Sequence, residues 1–305
     1  MLSADWTTVE VRAASLNHHD LWSLRGGAHL RRRGGAGMSD ADLPRILGSD
    51  AAGIDDAGRA VLVYPMISEV GGSPAEQLRS ASISMLSGKH DGTFAERISV
   101  PRRNLIMMPK GLDFEEAACL PTAWLTAYRM LFAEAALNPG DTVLVQGAGG
   151  GLSTALIMLG RAAGFRVWVA SRSAAKREFA MSIGASDTFE SGTRLPTRVD
   201  AVMDSVGAAT WPHSLKALRK GGTMVVPGGT SGYKAEADVS RIFSMNLRII
   251  GSAMGSIDHM RQLVSFCELN GVRPTIDRVI PLAQARDGFV AMAEGNLKGK
   301  VVFTM

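Results

Sequence analysis

The sequence predicts a two-domain α/β protein in which a parallel, doubly wound sheet is joined to a smaller domain made mostly of strands. The length of 305 residues is enough for two domains of about 150 residues each. After Asp141, buried-strand patterns alternate with helices of about ten residues, which is typical of a parallel doubly wound sheet. The N-terminal third instead carries short apolar runs between Gly, Asp and Ser clusters, which indicates short strands and turns.

The elements can be justified in chain order. Residues 9–11 and 60–63 are apolar runs of strand length. A helical stretch is predicted over residues 114–137, because Asp113 is a good N-cap and two glutamates follow it in the first turn. Pro121 is expected to break this stretch into two pieces.

The second half carries the alternating pattern. Strands are predicted at residues 142–146, 166–170, 199–204, 223–226 and 247–250, with helices between them, the second over residues 174–183. The end of the chain returns to a strand, a helix and a strand at residues 275–280, 282–294 and 300–304. These positions define the expected fold.

The composition excludes several classes of protein. Apolar residues make up 46% and charged residues 20%, which is unlike a disordered chain, a coiled coil or a collagen. The two cysteines, Cys119 and Cys267, are too few for a disulfide scaffold or a four-cysteine zinc site, and they suit a reducing cytoplasm, where we expect this protein. We expect no membrane association, because the apolar runs are shorter than the roughly 18–20 residues that span a bilayer and the first residues lack the features of a secretory signal.

The charge gives little reason to expect nucleic-acid binding. The net charge is +4, from 33 basic and 29 acidic residues. The one dense basic cluster, at residues 31–33, precedes a glycine-rich run and has no aromatic residues interleaved with it. We interpret it as a solvated loop, with an anion or partner contact as the alternative.

A glycine-rich segment at residues 145–153 links the first strand of the alternating region to its helix. Glycine allows backbone N–H groups to approach a pyrophosphate closely, and a helix N-terminus adds partial positive charge. One register of the dinucleotide-binding pattern begins at Gly147 and places Leu152 at the third glycine. We prefer the register that begins at Ala148, because it places the small Ser153 where helix and strand must pack closely. A tight turn without a ligand is the alternative.

The end of the second strand bears on the choice of dinucleotide. NAD enzymes carry a carboxylate about 20 residues after the glycine loop, but this chain has Ser171, which follows Gly150 by 171 − 150 = 21 residues. Three cations follow, Arg172, Lys176 and Arg177. The sequence therefore favours NADP(H) over NAD(H), unless these cations only solvate the start of the helix.

Several motifs occur in a fixed order. They are AASLNHHD at residues 13–20, LGSDAAG at 47–53, DGTFAE at 91–96, the glycine loop, and GKVV at 299–302. This order resembles the medium-chain dehydrogenase/reductase superfamily, in particular its zinc-independent, quinone-oxidoreductase-like members. The likeness extends over nearly the whole chain, from about Val9.

The resemblance implies a domain organisation. It places a GroES-like catalytic domain at residues 1–121, to which residues 272–305 return, and a Rossmann dinucleotide-binding domain at 122–271. Because the match begins almost at the first residue, we expect a GroES-like domain shortened at its N-terminus. The apolar strand around residues 247–253 implies a homodimer formed through that edge of the Rossmann sheet.

No metal is expected. Zinc-dependent relatives carry Cys, His and Cys at the positions of Asn17, Ser49 and Thr122, and amides and hydroxyls are poor zinc ligands. His18 and His19 are adjacent, and on a strand they would point to opposite faces, so this pair would not chelate one ion.

The resemblance also implies site residues. Asn17 and Thr126 are expected near the nicotinamide and the substrate, and Asp20 is a candidate for proton exchange, with a structural role as the alternative. The expected cofactor contacts are Gly150, Gly151 and Leu152 at the pyrophosphate, Ser171, Arg172 and Lys176 at the 2′-phosphate, and Val206, Gly228, Gly229 and Lys300 in the cofactor cleft. For Lys300, a surface lysine in a tight turn is the alternative.

The expected reaction is hydride transfer from NADPH to a quinone, an enone or a similar electron-poor carbonyl compound without zinc. Some enoyl reductases of this superfamily use a tyrosine as proton donor, but none of Tyr64, Tyr128 and Tyr233 falls just after residues 26–27, where it would be expected. A quinone can take its proton from water, so the missing donor favours such acceptors. The alternatives are a zinc-free alcohol or aldehyde dehydrogenase and a catalytically impaired NADP(H)-binding sensor or interaction protein.

Overall fold

The computed structural model describes residues 5–25, 44–68, 73, 76, 80 and 82–305. The basic cluster at residues 31–33 and the glycines at 26–27 lie outside this part of the chain. Two compact units are present, one formed by Met1–Leu125 with Gly255–Met305 and the other by Thr126–Met254. The helix Ile257–Asn270 belongs to the first unit, where it packs against the Leu120–Trp124 segment, and the domain limits at residues 121 and 271 stay a prediction.

The first half of the chain is rich in strands. Its elements are β1 (Trp6–Ser15), α1 (His18–Leu24), β2 (Asp50–Asp55), β3 (Ala60–Val63), β4 (Met66–Ile67), β5 (Ser84–Met85), β6 (Arg97–Pro101), β7 (Leu105–Met107), α2 (Phe114–Ala117) and α3 (Leu125–Tyr128). The second half continues with β8 (Thr142–Gln146), α4 (Gly151–Ala162), β9 (Arg166–Ala170), α5 (Ala174–Ser182), β10 (Asp187–Phe189), β11 (Val199–Asp204), α6 (Trp211–Ala217), β12 (Leu218–Val226), α7 (Val239–Ser244), β13 (Arg248–Gly251), α8 (Ile257–Asn270), β14 (Ile276–Pro281), α9 (Ala285–Glu294) and β15 (Lys300–Thr304).

The first unit is built on a mostly antiparallel sheet in the order β14-β15-β1-β2-β3-β7, with β6 also paired to β1. Strand β1 alternates buried and more exposed residues, and it contributes Val9 and Val11 to the core. At its C-terminal end Ser15 pairs with Asp50 of β2 on one side and with Val302 of β15 on the other. This register brings the polar ends of three strands together.

The second unit is a parallel sheet in the order β10-β9-β8-β11-β12-β13. Its core contains Leu144, Val202 and Met224, which come from neighbouring strands. The predicted fold class, a Rossmann sheet with a mostly β GroES-like domain, is confirmed. The short edge strand β10 was not predicted, and β12 begins at Leu218, earlier than the predicted residue 223.

The helical stretch before the Rossmann sheet is broken near Pro121, as predicted. Helix α2 ends at Ala117, and the second piece begins at Leu120 with Pro121 in its first turn. Backbone N–H groups in a first turn have no acceptor within the helix, so the N–H that proline lacks costs no hydrogen bond there. The second piece includes two wide turns of the π type, Leu120–Trp124 and Arg129–Glu134, and it ends three residues before the predicted residue 137. Across the part of the chain that the structure covers, no helix combines the length and the apolar character that crossing a membrane requires.

Candidate active site

A buried cluster of polar side chains lies where β1, β2 and β15 end or begin. Ser15 is the last residue of β1, Asp50 opens β2 and Lys300 opens β15, while Asn17 lies between β1 and α1. The Ser15 Oγ and the Asn17 Nδ2 each lie 2.8 Å from Asp50 Oδ2. The strand register therefore assembles a site from residues far apart in the sequence.

Lys300 supplies the positive charge of this cluster. Its Nζ donates to the Leu16 carbonyl oxygen at 2.8 Å, to Asn17 Oδ1 at 2.7 Å and to Asp50 Oδ2 at 3.3 Å. The lysine is only 2% exposed, and a lysine is almost never so buried unless it is paired. The alternative of a surface lysine is therefore wrong, and the contact of Lys300 with the cofactor stays a prediction.

The three positions that hold zinc ligands in zinc-dependent relatives are brought together. The Asn17 Nδ2 lies 3.3 Å from Ser49 Oγ, and Ser49 Oγ lies 3.1 Å from Thr122 Oγ1. This donor set does not fit a zinc ion, because it has no thiolate or imidazole and the Lys300 ammonium lies against the Asn17 amide. The described residues contain no group of three or more His, Cys, Asp or Glu side chains placed to hold a metal ion.

The two adjacent histidines lie on a helix, whereas they were predicted to lie on a strand. His18 and His19 open α1, so the argument from opposite faces of a strand was wrong. His18 is exposed, and its ring lies 6.2 Å from that of Trp22, one helical turn further on.

Asp20 is fully buried beside the cluster. Its Oδ2 accepts from the Asn17 backbone N–H at 2.8 Å and its Oδ1 accepts from the Gly48 N–H at 3.2 Å. Burial, with a smaller contribution from the nearby Asp50 charge, raises the pKa of Asp20 to about 7. Gly48 has a φ of +99°, and a Cβ there would lie 2.5 Å from Thr93 Oγ1. Asp20 thus ties the start of α1 to a turn that only glycine can form.

The glycine loop of the second unit connects β8 to α4. Gly147 and Gly149 have φ values of +86° and +87°, which favour glycine, and Gly150 is the N-cap of α4. Ser153 is buried and donates to the Gly150 carbonyl oxygen at 2.9 Å. The positive φ values lie at two glycines of the register that begins at Gly147. The small buried Ser153 instead fits the preferred register, which begins at Ala148. The N–H groups of Gly151 and Leu152 open a twelve-residue helix, which fits a pyrophosphate.

Two further loops pack together at the carboxyl edge of this sheet. The Ser231 N–H donates to the Val206 carbonyl oxygen at 2.8 Å, and a Cβ on Gly207 would lie 2.8 Å from the Gly229 Cα. Asp204 holds the first loop, since its Oδ1 accepts from the N–H groups of Val206 and Gly207 at 2.9 Å each. Asp204 was not predicted as a site residue, although a carboxylate at the end of an apolar strand is a usable signal.

The residues expected at a 2′-phosphate follow β9. Ser171 is buried, Arg172 is exposed and Lys176 is half-buried in the first turn of α5. Arg177 is turned back, because its guanidinium donates to the Ser171 carbonyl oxygen at 2.6 Å. Arg177 is therefore engaged within its own segment, and the contacts of Arg172 and Lys176 with a 2′-phosphate stay predictions.

The predicted catalytic residues fall into both units. Asn17 and Asp20 lie together in the first unit, with Lys300. Thr126, which is 9% exposed, belongs to the second unit together with the glycine loop.

Comparison with known proteins matches both halves of the chain. An alcohol dehydrogenase GroES-like domain matches residues 3–110, and a zinc-binding dehydrogenase domain matches residues 151–268. A zinc-type alcohol dehydrogenase-like protein of Schizosaccharomyces pombe is 30% identical over 96% of this chain and 89% of its own. A chloroplastic NADPH-dependent alkenal/one oxidoreductase of Arabidopsis thaliana is 27% identical over 99% of this chain and 72% of its own. A crystal structure of an NAD-dependent alcohol dehydrogenase is similar at a TM-score of 0.88 and 30% identity, covering 100% of this chain and 93% of that one.

Proposed function

Since this chain belongs to the medium-chain dehydrogenase/reductase superfamily and is an oxidoreductase of that family, we propose that it transfers hydride from NADPH to an electron-poor acceptor, an enone or a quinone, without zinc. The observation that carries this proposal is the cluster at the former ligand positions, where Asn17, Ser49 and Thr122 are hydrogen-bonded to one another and Lys300 is the buried cation. Such a site offers hydrogen-bond donors and no Lewis-acidic metal.

An enone suits such a site better than a simple ketone. Hydride addition to the β-carbon of an enone moves an electron pair through the conjugated system onto the carbonyl oxygen. Oriented hydrogen-bond donors can stabilise that charge, and water can then protonate the α-carbon. The alkenal/one oxidoreductase to which the chain is similar supports this class of acceptor. A quinone remains a second candidate, because it also needs no protein proton donor.

The preference for NADPH is supported by the residues after β9. Ser171 stands where a carboxylate would bind the ribose of NAD(H), and Arg172 and Lys176 offer positive charge to a 2′-phosphate. The NADPH-dependent relative points the same way, whereas the similar crystal structure is that of an NAD-dependent enzyme. Fluorescence titration with both cofactors tests the preference: tighter binding of NADPH is expected, and equal or tighter binding of NADH would refute it.

The chain's own residues have distinct roles in this proposal. Gly150, Gly151 and Leu152 hold the pyrophosphate through backbone N–H groups at the start of α4. Val206, Gly228 and Gly229, in the loops after β11 and β12, line the carboxyl edge where a dinucleotide binds. When bound, the nicotinamide supplies the hydride. Asn17 and Thr126 are proposed near the reacting groups.

An acceptor panel tests the proposed activity. NADPH oxidation is followed with enones, quinones and saturated aldehydes and ketones, and alcohol oxidation is followed with NADP⁺. Faster turnover of enones or quinones than of saturated compounds is expected. Activity confined to alcohols and saturated carbonyl compounds would favour the zinc-free alcohol dehydrogenase alternative, and NADPH binding without turnover would favour the sensor alternative.

We further propose a homodimer that pairs through β13, the edge strand of the parallel sheet. Ile249 of this strand is 37% exposed, and Phe243 of the preceding helix α7 is 69% exposed, so apolar surface accompanies an open edge. Light scattering that finds a monomer would refute this. The cytoplasm is the proposed location, because it keeps buried thiols such as Cys119 and Cys267 reduced; cell fractionation tests it.

A further inference from the structure

A second buried polar network lies in the unit with the parallel sheet, at the carboxyl ends of β8 and β11. Asp204, the last residue of β11, is fully buried, and its Oδ2 lies 2.6 Å from Ser214 Oγ. The Gln146 Nε2 lies 3.0 Å from Ser214 Oγ and 2.9 Å from His213 Nδ1. The His213 Nε2 lies 2.9 Å from the Thr193 carbonyl oxygen. A hydroxyl and an amide therefore join the carboxylate to an imidazole.

One arrangement of protons satisfies both ends of this network. A carboxylate can only accept, so the single hydroxyl proton of Ser214 goes to Asp204. Ser214 then accepts from Gln146, and the second hydrogen of that amide goes to His213 Nδ1, which carries no proton. The Thr193 carbonyl oxygen, which also only accepts, independently requires a proton on His213 Nε2. The imidazole is therefore neutral in this structure.

Asp204 connects this network to the two loops at the carboxyl edge of the sheet. Its Oδ1 accepts from the N–H groups of Val206 and Gly207 at 2.9 Å each. The Ser231 hydroxyl, in the loop after β12, donates to the Val206 carbonyl oxygen at 2.7 Å. A parallel doubly wound sheet binds its ligand at this edge. A change in the donors to Asp204 is therefore passed to the backbone on which the dinucleotide is proposed to lie.

A proton on His213 Nδ1 is incompatible with the observed arrangement, because an imidazolium donates from both ring nitrogens. The Gln146 amide would have to turn over and present its Oε1 to Nδ1. The same oxygen would then face Ser214 Oγ, which would either turn its proton away from Asp204 or leave two oxygens in contact without a proton between them. In both cases the hydrogen bonds to a buried carboxylate become weaker, which is costly.

The other end of the Gln146 amide does not hold it in place. Gln146 is 1% exposed, and its Oε1 has no hydrogen-bond partner among the described residues. The orientation of the amide is therefore set by Ser214 and His213, and no bond to Oε1 from that part of the chain opposes its turning. Because His213 is half-buried, its ring can exchange protons with the solvent.

The charged groups around His213 include one that the network reaches. The charged side chains on its helix α6 and on the segments in contact with that helix are Lys216, Arg194, Arg198, Arg241 and Asp204. Among these, Asp204 is the group joined to His213 by the hydrogen bonds of the network. The charge state of His213 therefore acts on the loops through Asp204.

We propose that Gln146, His213 and Ser214 are positioning residues for the two cofactor loops, and that tight binding of the dinucleotide requires a neutral His213. This inference rests on the proposed NADPH-dependent function. Histidine is the side chain that ordinarily gains its charge as the pH falls from 8 to 5. The affinity for the dinucleotide therefore falls over this range, because the protonated ring withdraws a donor from Asp204.

Calorimetric titration with NADP⁺ at pH 8 and pH 5.5 tests the role of His213. His213→Asn keeps an oxygen that can accept from Gln146 but cannot take up a proton, so its affinity at pH 8 should stay within about threefold of wild type. On acidification the dissociation constant should rise about tenfold more in wild type than in this variant, the factor that corresponds to one hydrogen bond to a charged group. The 2′-phosphate of the ligand and Asp20 titrate in both proteins, so their effects cancel in the comparison. The matched control is His90→Asn, at a half-buried histidine of the first unit, which should keep the wild-type pH dependence.

Ser214→Ala tests the link between His213 and the loops. It removes the donor to Asp204, so it should weaken NADP⁺ binding about tenfold at pH 8 and show as small a pH dependence as His213→Asn. Its control is Ser182→Ala, which removes an exposed hydroxyl that donates to the Phe179 carbonyl oxygen and should change neither quantity. Equal effects of acidification in wild type, His213→Asn and Ser214→Ala would overturn the inference.

Nitrogen-15 NMR of the protein without a ligand tests the network directly. The ring signals of His213, identified by their loss in His213→Asn, should be those of the neutral Nε2–H tautomer at pH 8. An Nδ1–H tautomer would overturn the inference. If the wild-type protein binds neither NADP⁺ nor NAD⁺ at pH 8, the proposed function fails. Tight binding at pH 8 without an effect of His213 on its pH dependence refutes this inference alone.

Discussion

The buried Lys300–Asp50 pair makes a sharp prediction about stability. Lys300→Met should destabilise the first unit strongly, because it leaves the Asp50 carboxylate buried without its cation. The Asp50 Oδ1 already has no hydrogen-bond partner among the described residues, so Oδ2 is the oxygen through which the charge is compensated. Removal of one partner of a buried ion pair costs about 3–5 kcal/mol.

This cost can be converted into an observable change. One kcal/mol shifts the melting temperature of a domain of 150–250 residues by about 2–4 °C, so a fall of roughly 6–20 °C is expected by calorimetry or circular dichroism. Asp50→Asn in the same chain removes the stranded charge and should recover most of the loss. Lys298→Met, at an exposed neighbouring position, is the matched control and should change stability by about 0.5 kcal/mol or less.

Two outcomes would refute this reasoning. A melting temperature for Lys300→Met equal to that of Lys298→Met would mean that Asp50 does not depend on the lysine. No recovery on adding Asp50→Asn would mean that the loss comes from packing of the lysine stem and not from the buried charge.

Further predictions concern the cofactor loops and Asp20. Ser171→Asp should weaken NADPH binding about tenfold or more while NADH binding is kept, as measured by fluorescence titration, because a carboxylate repels the 2′-phosphate; equal losses for both cofactors would contradict this. Gly147→Ala forces a side chain into a backbone with φ of +86° and 3.3 Å from Val206 Cγ2, so it should cost about 1–2 kcal/mol of stability and also weaken NADPH. The control Gly58→Ala, with φ of +76° and open space around it, should cost stability alone. The pKa of Asp20 is raised to about 7 in the folded state, so the folded state binds this proton more tightly than the unfolded state does. The contribution of Asp20 to stability is therefore fully present below about pH 4 and is lost as the pH rises toward 7. Asp20→Asn should flatten that slope in chemical denaturation measured across this pH range, and an unchanged slope would contradict the assignment.

The sequence alone located most strands of the parallel sheet. Strands β8, β9 and β11 were located to the residue, because strands buried on both faces of a parallel sheet are continuous apolar runs bounded by turn residues. The glycine loop was found for a similar reason, since its backbone conformation depends on residues that lie within the loop. The edge strand β10 was not predicted, because Asp187, Thr188 and Phe189 form neither a long nor an apolar run.

The buried polar cluster of the first unit depends on long-range contacts that no local sequence pattern contains. Lys300 belongs to a tight Gly-Lys motif, which suggested either a surface lysine or a cofactor contact. Only the pairing of β1 with β2 and β15 buries it against Asn17, 283 positions away in the chain. The histidines that were read as part of a strand turned out to open a helix whose start is held by Asp20.

The residue types of the site were thus determined by the sequence, whereas their hydrogen-bond partners were decided by the tertiary structure. The absence of zinc ligands at positions 17, 49 and 122 could be stated from the sequence and the resemblance. That Ser49 is hydrogen-bonded to both Asn17 and Thr122, beside a buried lysine, follows only from the fold. The physical reason is that an amide or a hydroxyl can donate or accept, and which it does depends on the partner that long-range packing places beside it.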